Sequence, residues 1–349
     1  MKNLLLASTA LIGFAGAAAA EVVIEGSAEM GITGGDDVET QFHNGYNLNF
    51  VMSGETDTGL SFGATYRLDA DASSEENQDP KGDNGTVFVS GAYGKLTLGD
   101  TDGALDWAMT ETAMGTSLAD EHTTHIGYSG NSDNFYDDQV LRYEYAFGDF
   151  GVALSVEQDD RDTDNDRLID DEDVDGGDPF IGLGGKYKTE YSGVTLGFGL
   201  GYQTGEGYLS RDLYVKATET VASVDLFGEI DRVGVSASAS MDNGFSVVLN
   251  YSTLDMEVAD SDLDIGLDHY GIGLGYEMGA LLLHANYGKY EYDLPDDASD
   301  FIEDEYDSFA LVANYDLGGG AILAAGYASD VSVDDGDQDQ FSVGMSLSF

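Results

Sequence analysis

Cysteine is absent from this chain of 349 residues, proline occurs three times and tryptophan once. Without cysteine there is no disulfide framework, no thiolate metal site and no cysteine nucleophile. Basic residues are scarce too: 13 Lys and Arg stand against 67 Asp and Glu, a formal net charge of -54 at pH 7. Nucleic acid is held chiefly by Lys and Arg on its phosphates, so this balance excludes a general nucleic-acid binder. After the first twenty residues no stretch approaches the roughly 20 apolar residues of a membrane helix. Neither G-x-S-x-G nor H-E-x-x-H occurs, and no spacing of Ser, His and Asp singles out a nucleophile, so no enzyme activity is expected.

What is present is apolar enough to fold. Hydrophobic residues make up 42% of the chain, which argues against wholesale disorder. The 21 Tyr and 16 Phe favour strands over helices. The first twenty residues form a separate unit. Lys2 opens them, 4–16 are apolar, and Ala18, Ala19 and Ala20 supply a small-x-small site, the layout of a secretory signal. Cleavage after Ala20 is expected, leaving 21–349 as one domain.

That domain has a period of two. Phe341, Val343, Met345, Leu347 and Phe349 share one parity, while Ser342, Gly344, Ser346 and Ser348 hold the other. Val194, Leu196, Phe198, Leu200 and Tyr202 likewise oppose Thr195, Gly197, Gly199, Gly201 and Gln203. Alternate residues of a strand lie on one face, so each strand has an oily side and a small or polar side. Tight turns at 148–149, 192–193, 242–244 and 318–320 alternate with long acidic stretches at 71–84, 159–178, 256–268 and 295–307. Short turns at one end and long loops at the other is the layout of an outer-membrane barrel. A soluble sandwich also has period-two strands, but it does not explain strands of about 10 residues or a small polar face throughout.

Seven hairpins are legible, at 46–69, 87–100, 140–158, 180–203, 233–254, 268–292 and 308–330. With a first and a last strand pairing to close the ring, the fold class is an all-β transmembrane antiparallel barrel of about 16 strands. Residues 211–232 are ambiguous: as an eighth hairpin they give 18 strands, and otherwise they are an inserted loop. Either count leaves an aqueous lumen. Most carboxylates fall in the long loops or on the lumen parity.

The stretches FVMSGETDTGLSFGATYRLD (50–69), NGTVFVSGAYGKLTLGDTDGA (84–104) and the terminal QFSVGMSLSF resemble the general diffusion porins of alphaproteobacteria. The resemblance implies a homotrimer of 16-stranded barrels in a Gram-negative outer membrane, each with a long third loop folded into the lumen as a constriction. By position that loop is 100–139, and 104–114 (ALDWAMTETAM) suits a short helix within it, with Trp107 packed on the wall. The resemblance also makes Phe349 the signature read by barrel-assembly machinery. The chain departs from the family at 46–53, which carries no basic residue where such porins often place arginines, and at 211–232.

Strand parity puts Arg67, Lys95, Arg142, Lys186 and Lys188 toward the lumen, with Glu25, Glu29, Asp69, Glu144, Glu157 and Glu277. One reading is that charge simply avoids lipid, since Arg or Lys at the bilayer midplane costs about 2–4 kcal/mol. The sharper reading is a transverse field, basic wall against acidic loop, with Asp102, Asp106, Glu111, Asp120, Glu121 and Asp133 on the acidic side. Acidic rings favour cations, so a cation-selective channel for ions and small hydrophilic solutes is expected, in contact with outer-membrane lipid.

Two alternatives stand beside it, a substrate-specific 18-stranded channel and a secreted, soluble acidic β-protein stabilised by calcium. No cofactor is required. Asp162, Asp164, Asp166, Asp170 and Asp173 occupy positions 1, 3, 5, 9 and 12 of an EF-hand-like loop, a spacing suited to Ca2+. Arg167 replaces the usual turn glycine, and Asp173 the longer Glu. His122 and His125 lack an evident third ligand. Calorimetric titration of Ca2+ should give weak heat with the wild type and none with Asp164→Ala/Asp166→Ala, and matching traces would remove the site.

Overall fold

The alternation is realised as sixteen antiparallel strands in a computed structural model. It describes residues 21–36, 39–71, 81–118, 139–158, 178–215, 220–259, 261, 263–295, 304–329 and 339–349. The first strands are β1 (Glu21–Gly35), β2 (Gln41–Glu55), β3 (Ser61–Asp71), β4 (Lys81–Gly91) and β5 (Gly94–Gly99). After helix α1 (Ala104–Ala108) come β6 (Val140–Phe147), β7 (Phe150–Glu157), β8 (Phe180–Tyr191), β9 (Val194–Val215) and β10 (Thr220–Met241). The series ends with β11 (Phe245–Val258), β12 (Asp264–Met278), β13 (Leu281–Asp293), β14 (Glu305–Gly318), β15 (Ala321–Ser329) and β16 (Gln340–Ser348).

Each strand pairs with its neighbours in sequence, and β1 pairs with β16 to close the barrel. Met30 lies opposite Met345 and Ile32 opposite Val343 across that seam. Phe349 prolongs it: its N–H donates to the Gly26 carbonyl at 2.8 Å, and the Gly26 N–H donates back at 3.3 Å. The same end of the barrel is tightened by turns such as Ser192-Gly193. Both residues have positive φ, 54° and 78°, the backbone of a two-residue hairpin turn matched to strand twist.

Sixteen strands remove the 18-stranded alternative. Residues 211–232 are neither an extra hairpin nor an inserted loop. They carry β9 up to Val215 and bring β10 back from Thr220, in unbroken register from Thr220↔Val215 to Met241↔Val194. At about 3.3 Å per residue these 22-residue strands run to roughly 70 Å, far beyond an apolar band of about 25 Å. The hairpin therefore stands above the band. Part of the acidic stretch at 256–268 is strand for the same reason: β11 runs on to Val258, and β12 starts at Asp264.

The apolar parity faces outward. Leu200, Leu274 and Val343 are each more than half exposed, whereas Asn250, Ser252 and Ser342 on the other parity are buried. A secreted soluble protein would bury its oily face, so this arrangement overturns that alternative. Tyr145, Phe147, Phe150, Tyr187 and Phe198 stack in a chain near the short turns, with successive ring centroids 4.5 to 6.5 Å apart. Such aromatic girdles mark the membrane interface.

Near the long loops two features depart from the simple pattern. Glu229, Asp231, Asp255, Glu257 and Asp268 lie on the outward parity, exceptions to the expectation that most carboxylates fall in loops or face the lumen. Above the apolar band water removes the penalty, and tyrosines below reach up to them. The Tyr202 hydroxyl donates to Asp231 at 2.5 Å and that of Tyr251 to Asp268 at 2.9 Å. Facing inward at the same level, Phe180, Ile230, Leu254, Met256 and Leu267 form a buried apolar cluster. On β8 and β10 to β12, this end of the inner wall is packed like a protein core.

Candidate functional site

The chain leaves the sheet after β5 (Gly94–Gly99), and the next strand is β6 (Val140–Phe147). Asp100 still belongs to the sheet, its N–H donating to the Gly85 carbonyl at 3.1 Å. Beyond it, 103–118 run along the inner parity of the barrel. Backbone polar groups in such a loop require partners, and inward side chains supply them from one strand after another. The Ser155 hydroxyl accepts from Ala104 N–H at 2.8 Å, and that of Ser236 from Thr110 N–H at 3.0 Å. Asn250 Nδ2 donates to the Thr110 carbonyl at 3.4 Å. Asn314 clamps Thr116 twice, accepting from its N–H at 2.9 Å and donating to its carbonyl at 2.7 Å. Ser342 Oγ accepts from Leu118 N–H at 3.2 Å. The anchors thus pass from β7 through β10, β11 and β14 to β16. They also account for helix α1 ending at Ala108, short of the expected 114: beyond it the backbone bonds to the wall.

Glycines make the groove in which this segment lies. A Cβ at Gly184 would overlap the Ala104 carbonyl oxygen, one at Gly199 that of Ala108, and one at Gly273 that of Thr112. At Gly201 it would meet Leu105, and at Gly31 or Gly344 the Leu118 side chain. Close approach of backbone to backbone is what a missing Cβ permits. Ala104, Leu105 and Leu118 are in consequence fully buried. Trp107 sits over Gly151, and Lys186 Nζ lies 3.5 Å from its ring centroid while donating to its carbonyl at 3.2 Å. The indole packs on the wall under a cation.

The charges gather differently from a basic wall facing an acidic loop. Arg142 is buried, with Nη1 3.7 Å from Asp102 Oδ2 and donating to the Asp102 carbonyl, and with Nε 3.5 Å from Glu144 Oε2. Lys95 Nζ is 3.9 Å from Glu144 Oε1. Asp102 therefore pairs with the β6 wall instead of standing across from it. Asp106 lies in the first turn of α1, where a carboxylate suits the helix dipole. Glu111 is exposed to lumen water yet enclosed by the surrounding wall. That enclosure, and then the Asp102 carboxylate, raise its pKa above the ordinary carboxylate value. Lys188 lies two residues along β8 from Lys186, nearer the short turn. Arg67 lines a recess of about 300 Å³ together with Glu25, Asn49, Val51, Thr65, Thr86 and Asp100.

Asp120, Glu121, Asp133, His122 and His125 lie outside the described residues, as do Asp162, Asp164, Asp166, Asp170 and Asp173. Among the described residues no group of His, Asp and Glu is arranged to hold a metal ion. Sequence reasoning missed the anchors Ser155, Ser236, Asn250, Asn314 and Ser342, which parity alone marks only as lumen lining. The glycine-rich inner faces of β8, β9 and β12 were the available signal.

The sequence profile of the Gram-negative porins matches residues 7–344. The chain belongs to the Gram-negative porin family. A porin of Rhodobacter capsulatus is 28% identical over 322 residues, 89% of this chain and 94% of its own length. A solved porin structure, 24% identical, superposes with a TM-score of 0.66 over 94% of this chain and 100% of that one. An OmpT loop-deletion variant from Vibrio cholerae, 13% identical, gives 0.63 over 95% and 99%. A Rhodopseudomonas blastica porin variant, 17% identical, gives 0.59 over 94% and 100%. This porin is accordingly an outer-membrane channel.

The groove predicts a contrast between two glycines of the porin wall. Gly273→Ala must displace Thr112, an overpacking that costs about 1–3 kcal/mol, whereas nothing lies within 4 Å of a Cβ at Gly185. Single-channel recording should show a shifted, noisier open current for Gly273→Ala and a wild-type trace for Gly185→Ala. Identical traces from the two variants would contradict the groove.

Proposed function

We propose that this porin passes ions and small hydrophilic solutes passively, and that its channel favours cations. The observation that carries the charge preference is how the inward basic side chains are engaged. Lys95 and Arg142 are matched by Glu144 and Asp102, and Lys186 is stacked on Trp107. Glu111 has no basic side chain among the influences that shift it, so it leaves negative potential beside the loop segment inside the lumen. The 67 acidic residues against 13 basic ones act in the same sense, and acidic linings favour cations. Steric selection would come from the loop segment 103–118, with Asp120, Glu121 and Asp133 further along the same loop.

Export by a signal in 1–20, assembly as a homotrimer and recognition of Phe349 by barrel-assembly machinery belong to the same reading. They are supported by the family membership and by the placement of Phe349, 81% exposed beside the closing seam. A weak Ca2+ site at 162–173 completes it, on the spacing of its carboxylates.

Planar-bilayer recording across a KCl gradient tests the selectivity. A reversal potential of cation sign is expected at neutral pH. Because its pKa is raised, Glu111 loses its charge before ordinary exposed carboxylates do as pH falls, and cation preference should drop in that first step. Glu111→Gln should lower the preference at neutral pH and abolish the step. An anion-sign potential, or a pH profile unchanged in Glu111→Gln, would overturn the proposal.

A further inference from the structure

Helix α1 is a single turn of five residues, too short to hold its own place, so its position is set by what it touches. Three inward positions of the wall form one transverse row beneath it, because Lys186 is the register partner of both Gly151 on β7 and Gly199 on β9. The two glycines make room: the Ala108 carbonyl sits against Gly199, and the edge of the Trp107 ring against Gly151. Lys186 is the one side chain of the row. Its stem lies along Gly151, its ammonium stands 3.5 Å from the indole centroid, and the same group donates to the Trp107 carbonyl at 3.2 Å. That carbonyl is one of the groups a helix end leaves over. The carbonyls of Leu105 and Asp106 are taken by the Met109 N–H, and the next amide, Thr110, donates to Ser236. Ala104, Leu105 and Ala108 are buried, whereas Trp107 is half-buried and Lys186 is exposed. The helix is thus seated by its apolar side, and the indole at its lumen edge is covered by a cation.

We propose that Lys186 is a positioning residue of the channel, a latch that keeps Trp107 flat on Gly151 and the adjoining lumen clear. The proposal deepens the channel reading above and rests on it. An ammonium is attracted to the face of an indole, and here it also donates to the carbonyl of the same residue. One side chain therefore fixes ring and backbone together. A neutral side chain of similar length keeps the stem packed along Gly151 and loses both contacts. The indole, turned about its Cα–Cβ bond, then leaves the wall and enters the aqueous path. A guanidinium stacks on an aromatic face and donates as well, so the requirement is for a cation and not for lysine itself. The loosening stays local. Arg142 holds the loop at Asp102, and Asn314 and Ser342 hold it at Thr116 and Leu118.

Trp107 is the single tryptophan of the chain, so its emission reads the contact directly. The purified full-length porin is compared with its variants by tryptophan emission, by acrylamide quenching and by single-channel current in planar bilayers. Lys186→Met should shift the emission to the red and steepen the quenching. It should also raise the occupancy of reduced-current levels by about tenfold. Lys186→Arg should restore all three readings. Lys188→Met removes the same charge two residues along the same face of β8 and should leave the emission where it is, which separates the latch from a loss of positive charge. In a Trp107→Ala background there is no ring to hold, and Lys186→Met should add no further reduced-current levels. Four results would overturn the latch and keep the channel: wild-type emission and current in Lys186→Met, a Lys186→Arg variant that behaves like Lys186→Met, an equal emission shift in Lys188→Met, or the same added current levels with and without the indole. A wild-type protein that does not conduct would lose both.

Discussion

In hydrocarbon a backbone amide has no water to fall back on, and each one left without a partner costs several kcal/mol. A sheet that crosses a membrane must therefore have no edge. Here the requirement is met at the seam between β1 and β16, extended by the reciprocal hydrogen bonds of Gly26 and Phe349. Once the ring is closed, the period of two does the rest. Leu200, Leu274 and Val343 go outward and Asn250, Ser252 and Ser342 go inward, so a chain with a net charge of -54 can still present an oily exterior.

The same constraint reappears inside. A segment laid against the inner wall shields its own backbone from lumen water on one side, and those groups need partners there. Ser155, Ser236, Asn250, Asn314 and Ser342 provide them at 2.7 to 3.4 Å. The glycines of the wall let backbone approach backbone closely enough for those bonds to form. Ion pairing follows from that placement. Because the loop starts beside β6, Asp102 meets Arg142, and the positive charge of Arg142 is met locally by Asp102 and Glu144.

Much of this was legible before any coordinates. Alternation such as 341–349 fixes strand faces, and the rhythm of short turns and long acidic loops fixes a barrel. The boundaries failed where charge was taken as a mark of loop. Above the apolar band a strand can carry Glu229, Asp231 and Glu257 at no penalty, so 211–232 and part of 256–268 are strand. Parity identified Arg142 and Lys186 as inward, but it could not say that one pairs with a loop carboxylate and the other stacks on Trp107. Those contacts join residues 40 and 79 positions apart, and no local pattern encodes them. Inward Gly, Ser and Asn looked like passive lining because small polar residues serve equally in contact with water or with a loop. Only the three-dimensional path of 103–118 separates the two roles.

The central claim is that this segment rests on the inner wall of the open channel. Since the chain has no cysteine, a Thr110→Cys/Ser236→Cys pair can be introduced without background and bridged by oxidation or a short bis-thiol reagent. The N–H of Thr110 already lies 3.0 Å from Ser236 Oγ, so the bridge should form readily and leave single-channel conductance as it was before bridging. Failure to bridge, or a large change in conductance on bridging, would mean that the loop occupies a different position in the conducting protein.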